Sequence, residues 1–366
     1  MATRTVALTL PADYTSVTAA AAGGSASDIL SIIEPGIYAN EAVTFKANQS
    51  VVNNSGGVVV LSDVAARATW MMVATAGGVS ISGVTIQYGS NYAHAINTQG
   101  VSFTLTDVIL RATGAGATGA ISINGAGTIT LTRVTTINAG AGATYLYGRW
   151  GASTGTTIAT DCTFGFDFNV TTRSATLLRC RATNADLFNQ NDNTAVVTAT
   201  DCSVTKLGRG IYCTTGAVTG GNVTAINCTS VAGGDYDAIV IAYNGATIAN
   251  AELTNCCAAQ LVRHTGTGAV TTCTATNCSY ITSDVASANP VVVAAQADWR
   301  LNADGTPGID SPLLEAGTAV GAPAMDINHN PMFQGRAPCI GSTQRPYQMR
   351  DRRRGRNLFS LRRRAV

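Results

Sequence analysis

Charge is scarce in this chain: Asp, Glu, Lys and Arg make up only 12% of its 366 residues, and aromatics only 6%. Thr, Val, Ala and Gly fill most of the middle, a composition that suits short half-buried strands and poorly suits helices. No run reaches the roughly 18 apolar residues that a membrane span needs. Near the N-terminus Pro11 and Asp13 interrupt the stretch where an export signal needs an unbroken apolar core, so neither a membrane anchor nor a cleaved signal is expected. Cysteine is not scarce, with ten residues, but disulfide frameworks belong to small secreted domains. Their positions offer a better explanation.

What is present is a repeat. A strand-ending motif recurs as SGVTI at Val84, LTDVI at Val108, LTRVT at Val134, TDCTF at Cys162, LRCRA at Cys180, TDCSV at Cys202, INCTS at Cys228, TNCCA at Cys256 and TNCSY at Cys278. The spacings run from 18 to 28 and average about 24 residues, the period of a solenoid; strands without intervening helices make it a β-solenoid. Small or apolar residues five and three before the anchor, such as Val197 and Ala199 before Cys202, alternate as one strand face should, yet the anchor itself is out of phase. The chain must bend between them. The residue just before the anchor is Asp161, Asp201, Asn227, Asn255 or Asn277, and Asp and Asn tolerate the left-handed backbone of a tight corner. Stacking predicts an Asn/Asp ladder outside and a column of free core cysteines inside, since rungs about 4.8 Å apart hold thiols too far apart for a relaxed disulfide.

Cys256, Cys257, His264, Cys273 and Cys278 crowd together in sequence, but their spacing fits no standard zinc pattern, so no metal and no cofactor is expected.

Both ends of a solenoid need caps. An Ala-rich helix opened by Pro11 and Asp13 and closed at Gly23-Gly24, then IIEPGIY and EAVTF, reads as the N-terminal one. This progression resembles the start of right-handed parallel β-helix proteins of the pectate-lyase-like superfamily. The segment DWRLNADGTPGIDSPLLEAGTAV, followed by MDINHNPMFQGR and PCIGS, resembles their closing pattern: Asp326, Pro331, Arg336, Ile340 and Gly341 keep its order, with His329-Asn330 where Gly is usual. The expected architecture is therefore all-β, a right-handed parallel β-helix, with 1–60 as N-terminal cap and first strands, 61–290 as rungs, 291–349 as closing segment and 350–366 as a tail.

Enzymes of this fold that cut polysaccharides need clustered carboxylates with a basic partner. The Gly-His-Gly signature of the family's hydrolases is absent, since the three histidines, His94, His264 and His329, stand in other contexts. Asp167, Asp186, Arg209, Asp235 with Asp237, Arg263 and Asp284 lie five to nine residues past the corners and predict a charged column on one face. It reads either as a salt-bridge ladder or as a glycan site with Asp235 and Asp237 as acid and base.

The net charge of +2 hides an asymmetry. Residues 350–366 hold eight Arg and one Asp, or +7, which leaves −5 for the rest. Arg352, Arg353, Arg354, Arg356, Arg362, Arg363 and Arg364 flank Leu358, Phe359 and Leu361, a pattern suited to anchoring on an acidic surface in an assembly, or to nucleic acid through the tail alone. The resemblance extends to phage spike and decoration proteins. It implies a non-enzymatic rod, a homotrimer assembled in the host cytoplasm and held in a virion against a major capsid, tail or neck protein, facing a host-surface glycan and no membrane. The alternative is a polysaccharide lyase or glycoside hydrolase; a bacterial surface adhesin is a third reading.

Overall fold

In the computed structural model the described residues are 1–63, 70–89, 95–113, 119–122, 125–139, 145–148, 155–165, 169–170, 174–183, 187–190, 196–206, 210–214, 219–232, 238–284, 291–292 and parts of 311–329. They form a parallel β-helix. Successive turns of chain add strands to parallel sheets of twelve, sixteen and five strands, and every named strand pairing is parallel. The first sheet has twelve strands, from Thr3–Val6 and Ile29–Ile32 to Thr247–Thr254 and Ala269–Thr276. Two rows of the sixteen-stranded sheet join at the far end through Cys257–Thr265, one strand long enough to pair in both.

Register explains the sequence period. Leu30, Val51, Ile81, Leu105, Leu131, Ala159, Leu177, Ala199, Ala225, Leu253 and Ala275 are successive partners in the first sheet and all are buried, one per rung. A one-residue slip would turn this whole stack to solvent, so the apolar alternation fixes the register.

The corner after the first sheet is built as the anchor pattern predicts. Asp107, Arg133, Asp161, Arg179, Asp201, Asn227, Asn255 and Asn277 all adopt positive φ, between 51° and 57°, and Gly83 fills the same place at 73°. A left-handed residue costs about 1–2 kcal/mol. The backbone ladder offsets it, because each corner N–H from Asp107 to Asn255 donates to a carbonyl of the next rung at 2.9–3.0 Å. Just past the corner, Val84, Val108 and Val134 and then the six cysteines point inward and are buried. The eight cysteines whose side chains are described are free thiols. In the column the thiol is more than filler: Cys180 Sγ donates to Ala159 O and Leu178 O at 3.5 Å, and Cys202, Cys228, Cys256 and Cys278 repeat this bridge between rungs.

Three expectations need correction. The helix is Val17–Gly23 with Ser16 as its N-cap, not a helix opened at Pro11 and Asp13, because Asp13 instead closes a loop onto Thr5 N and Oγ1. The first strand is Thr3–Val6, ahead of that helix, paired with Ile29–Ile32. The Asp/Asn ladder is not wholly outside: Asp201, Asn227 and Asn255 are buried, under a returning C-terminal segment.

Candidate functional site

The corner column carries two Arg–Asp ion pairs. Arg133 reaches back one rung to Asp107 with two hydrogen bonds, 2.6 and 2.7 Å, and Arg179 does the same to Asp161 at 2.5 and 3.2 Å. The first pair is half exposed and the second mostly buried. The Arg133 hydrogen bond lowers the Asp107 pKa and so favours its charged form. These Arg–Asp steps were not foreseen, since only the Asp and Asn members of the column carry an intrinsic corner preference. Their fixed offset before Val134 and Cys180 was the signal that could have revealed them.

Beyond Arg179 the column changes chemistry. Asn255 donates to Asn227 Oδ1 at 2.9 Å, and an amide ladder replaces the ion pairs. Asp201 stands at the junction, fully buried, with neither carboxyl oxygen in a hydrogen bond. Burial pushes its pKa up to about 8, against the pull of the Asn227 side chain and with a further push from nearby Cys228 and Asp326. The raised pKa favours the neutral acid at Asp201 at neutral pH.

The C-terminal segment seats on this column. Asn255 Nδ2 donates to Thr318 O at 2.9 Å and Thr318 N donates to Asn255 Oδ1 at 2.8 Å, the two-point pairing that an amide side chain offers a backbone. Asp326, also buried, is near enough to Asp201 to push its pKa upward. The Arg181 guanidinium hydrogen-bonds Ile327 O at 3.4 Å and the Asn328 side chain, and His329 Nε2 stands 3.5 Å from Asp161 Oδ1. We call this segment, 318–329, the strap.

Of the charged column expected past the corners, Arg263 and Asp284 are described. Asp284 Oδ2 accepts from the His264 backbone N–H at 2.6 Å, while Arg263 sits in the strand Cys257–Thr265 opposite Ile241. Asp167, Asp186, Arg209, Asp235, Asp237 and the tail residues Arg352, Arg353, Arg354, Arg356, Phe359, Arg362, Arg363 and Arg364 lie outside the described residues. In the crowded Cys/His stretch His264 Nε2 accepts from Val270 N at 2.9 Å, and among the described residues no group of three His, Cys, Asp or Glu is placed to hold an ion. Among them, too, no helix is long and apolar enough to cross a membrane.

This architecture places the chain in the class of right-handed parallel β-helices. It is similar to the crystal structure of pectate lyase Pel9A, among others, with 14% identity, a TM-score of 0.53, and coverage of 94% of this chain and 97% of that one. At that identity the likeness shows the fold. No protein-family model matches the chain. No curated protein matches it in sequence.

Proposed function

We propose that the chain is a non-enzymatic structural rod of a phage virion, anchored through one end or through its Arg-rich tail. The observation that carries the reading is the corner column, whose ionic groups are engaged with one another and with the strap. Asp107 with Arg133 and Asp161 with Arg179 join neighbouring rungs by their charges, and the Arg181 guanidinium and the neutral Asn255 amide hydrogen-bond the strap. Such a ladder lends stiffness along the axis and asks for no ligand. The virion address rests on the use of this fold in phage spike and decoration proteins, and the homotrimer on the same ground.

A second reading, cleavage of a glycan by a polysaccharide lyase or glycoside hydrolase, is favoured by the near full-length fold likeness to a pectate lyase. Its candidate acid and base are Asp235 and Asp237. One experiment separates the two. Purified full-length protein is sized by light scattering and incubated with a panel of neutral and acidic glycans, with product followed by ultraviolet absorbance and reducing ends. A trimer that releases no product supports the rod; turnover abolished by Asp235→Asn with Asp237→Asn, with the fold intact, establishes the enzyme and removes the rod.

A further inference from the structure

The strap has a direction. Thr318 meets Asn255, Asp326 comes near Asp201, Ile327 and Asn328 meet Arg181, and His329 meets Asp161, so rising residue number carries the strap toward the rod's N-terminal end. From Asn255 to Asp161 it crosses four rungs, about 19 Å at about 4.8 Å per rung. Five more rungs along the same corner lead past Arg133, Asp107 and Gly83 to the first two turns, where the corners are 33–36 and 54–58. At the same advance the chain covers them in about 14 residues, before the arginine-rich segment begins.

At that end of the column lies an apolar patch. Leu8, Leu10, Ile37 and Val58 are 38%, 51%, 64% and 74% exposed. They are neighbours: Gly36 N donates to Val58 O at 3.0 Å, and Leu8 Cδ1 packs so close to Gly36 that a Cβ there would stand 2.8 Å away. Glu34 pins the Leu8–Leu10 loop over the corner by accepting from Thr9 N, Thr9 Oγ1 and Leu10 N at 2.7, 2.6 and 3.1 Å. Those hydrogen bonds hold it ionised, with its pKa down to about 2, and Asp13 nearby is also lowered by its bonds to Thr5. The cations of this end are engaged elsewhere: Arg4 on Asp28, and Lys46 on the carbonyls of Ala22 and Gly24. The strand Gly36–Ala39 pairs on one side only among the described residues, with Val59–Asp63.

We propose that this patch is the seat of the chain's own tail: Leu358, Phe359 and Leu361 cover Leu8, Leu10, Ile37 and Val58, and the flanking arginines lie beside Glu34 and Asp13. Three observations converge on this occupant. The strap heads for this end, the chain beyond His329 is long enough to reach it, and the tail's +7 with an apolar triplet matches an apolar patch rimmed by carboxylates. The docked tail gives the N-terminal end a collar of arginines. This deepens the anchored-rod reading by naming the attachment end, but the contact itself is independent of the rod's address and of any glycan activity.

The test is photo-crosslinking in the full-length protein, with Val58 replaced by a benzophenone amino acid and Ile158, exposed at mid-rod, replaced in a control. The expected product is an intramolecular crosslink from position 58 to residues 350–366, running at monomer mass and absent from the Ile158 control. It falls about tenfold in a Leu358→Asp, Phe359→Asp variant, as the loss of a contact worth about 1.4 kcal/mol requires. A crosslink at dimer mass, one mapping outside 350–366, no crosslink to the tail, or one indifferent to the double substitution overturns the proposal. Because the tail variant leaves every described rung unchanged, its circular dichroism and thermal midpoint should match the parent's and exclude misfolding as the cause.

Discussion

The first turn of the rod and its middle treat carboxylates in opposite ways. At the N-terminal end Asp28 accepts from Ala2 N, Ser25 N and Arg4, Glu34 accepts from Thr9 and Leu10, and both are held ionised with pKa values down to about 2. At mid-rod Asp201 is buried without such donors, and its pKa rises to about 8. The same side-chain type thus clamps a loop by its charge in one place and is held toward its neutral form by burial in another. The supply of backbone N–H groups decides which. The open first turn offers unpaired N–H groups, whereas the mid-rod corner has already committed its own to the ladder.

The largest effect is expected where the strap meets the amide ladder. Asn255→Ala removes two hydrogen bonds to Thr318 and one to Asn227 and leaves an alanine in a left-handed corner, so it should cost about 2–4 kcal/mol in urea unfolding. Proteolysis should then cut first near 318–329. A smaller effect of opposite sign is expected from Asp201→Asn. The folded pKa lies above the ordinary value of 3.8, so the folded form keeps a proton that the unfolded chain gives up. The contribution of Asp201 to parent stability should be greatest below about pH 4, fall as pH rises toward 8 and then level off. The asparagine variant should lose that slope and gain on the order of 1–3 kcal/mol over the parent at pH 8–9.

The N-terminal end should show the reverse slope. Asp28 and Glu34 have folded pKa values below their ordinary ones, so their contribution is present above about pH 4.5 and is lost as pH falls toward 2. In an Asp28→Asn, Glu34→Gln variant the thermal midpoint should be lower at pH 7 and less sensitive to acid in that window. The smallest effect should come from the two ion pairs. Arg133→Ala breaks the half-exposed pair and should cost under about 1 kcal/mol, while Arg179→Ala breaks the mostly buried one and should cost more. Equal costs would mean that burial does not grade the column.

The rungs were legible because the same physical demand recurs at each: an inward apolar pair, an Asp or Asn that tolerates the corner, and a small thiol after it. Features that occur once were not legible. Thr3–Val6 is four residues with no repeat around them, and the helix began later than expected because Asp13, a good cap by type, was drawn to Thr5. Arg133 and Arg179 were hidden because arginine has no preference for a left-handed corner and is held there by its ion pair. The strap was hidden more deeply, since its contacts join Thr318 to Asn255 and His329 to Asp161, pairings that no local pattern encodes. Asp235 and Asp237 remain expectations from sequence, outside the described residues.

Hydrogen exchange resolved along the chain and corrected for intrinsic rates, on the parent protein from pH 3 to pH 9, tests the central contrast most directly. At pH 3 residues 2–10 and 25–34 should lose protection while 318–329 stays closed, and at pH 9 the strap should open while the N-terminal end holds. Both regions opening together at either extreme would contradict the account, for it would mean that one global transition, and not two opposite carboxylate environments, governs the column.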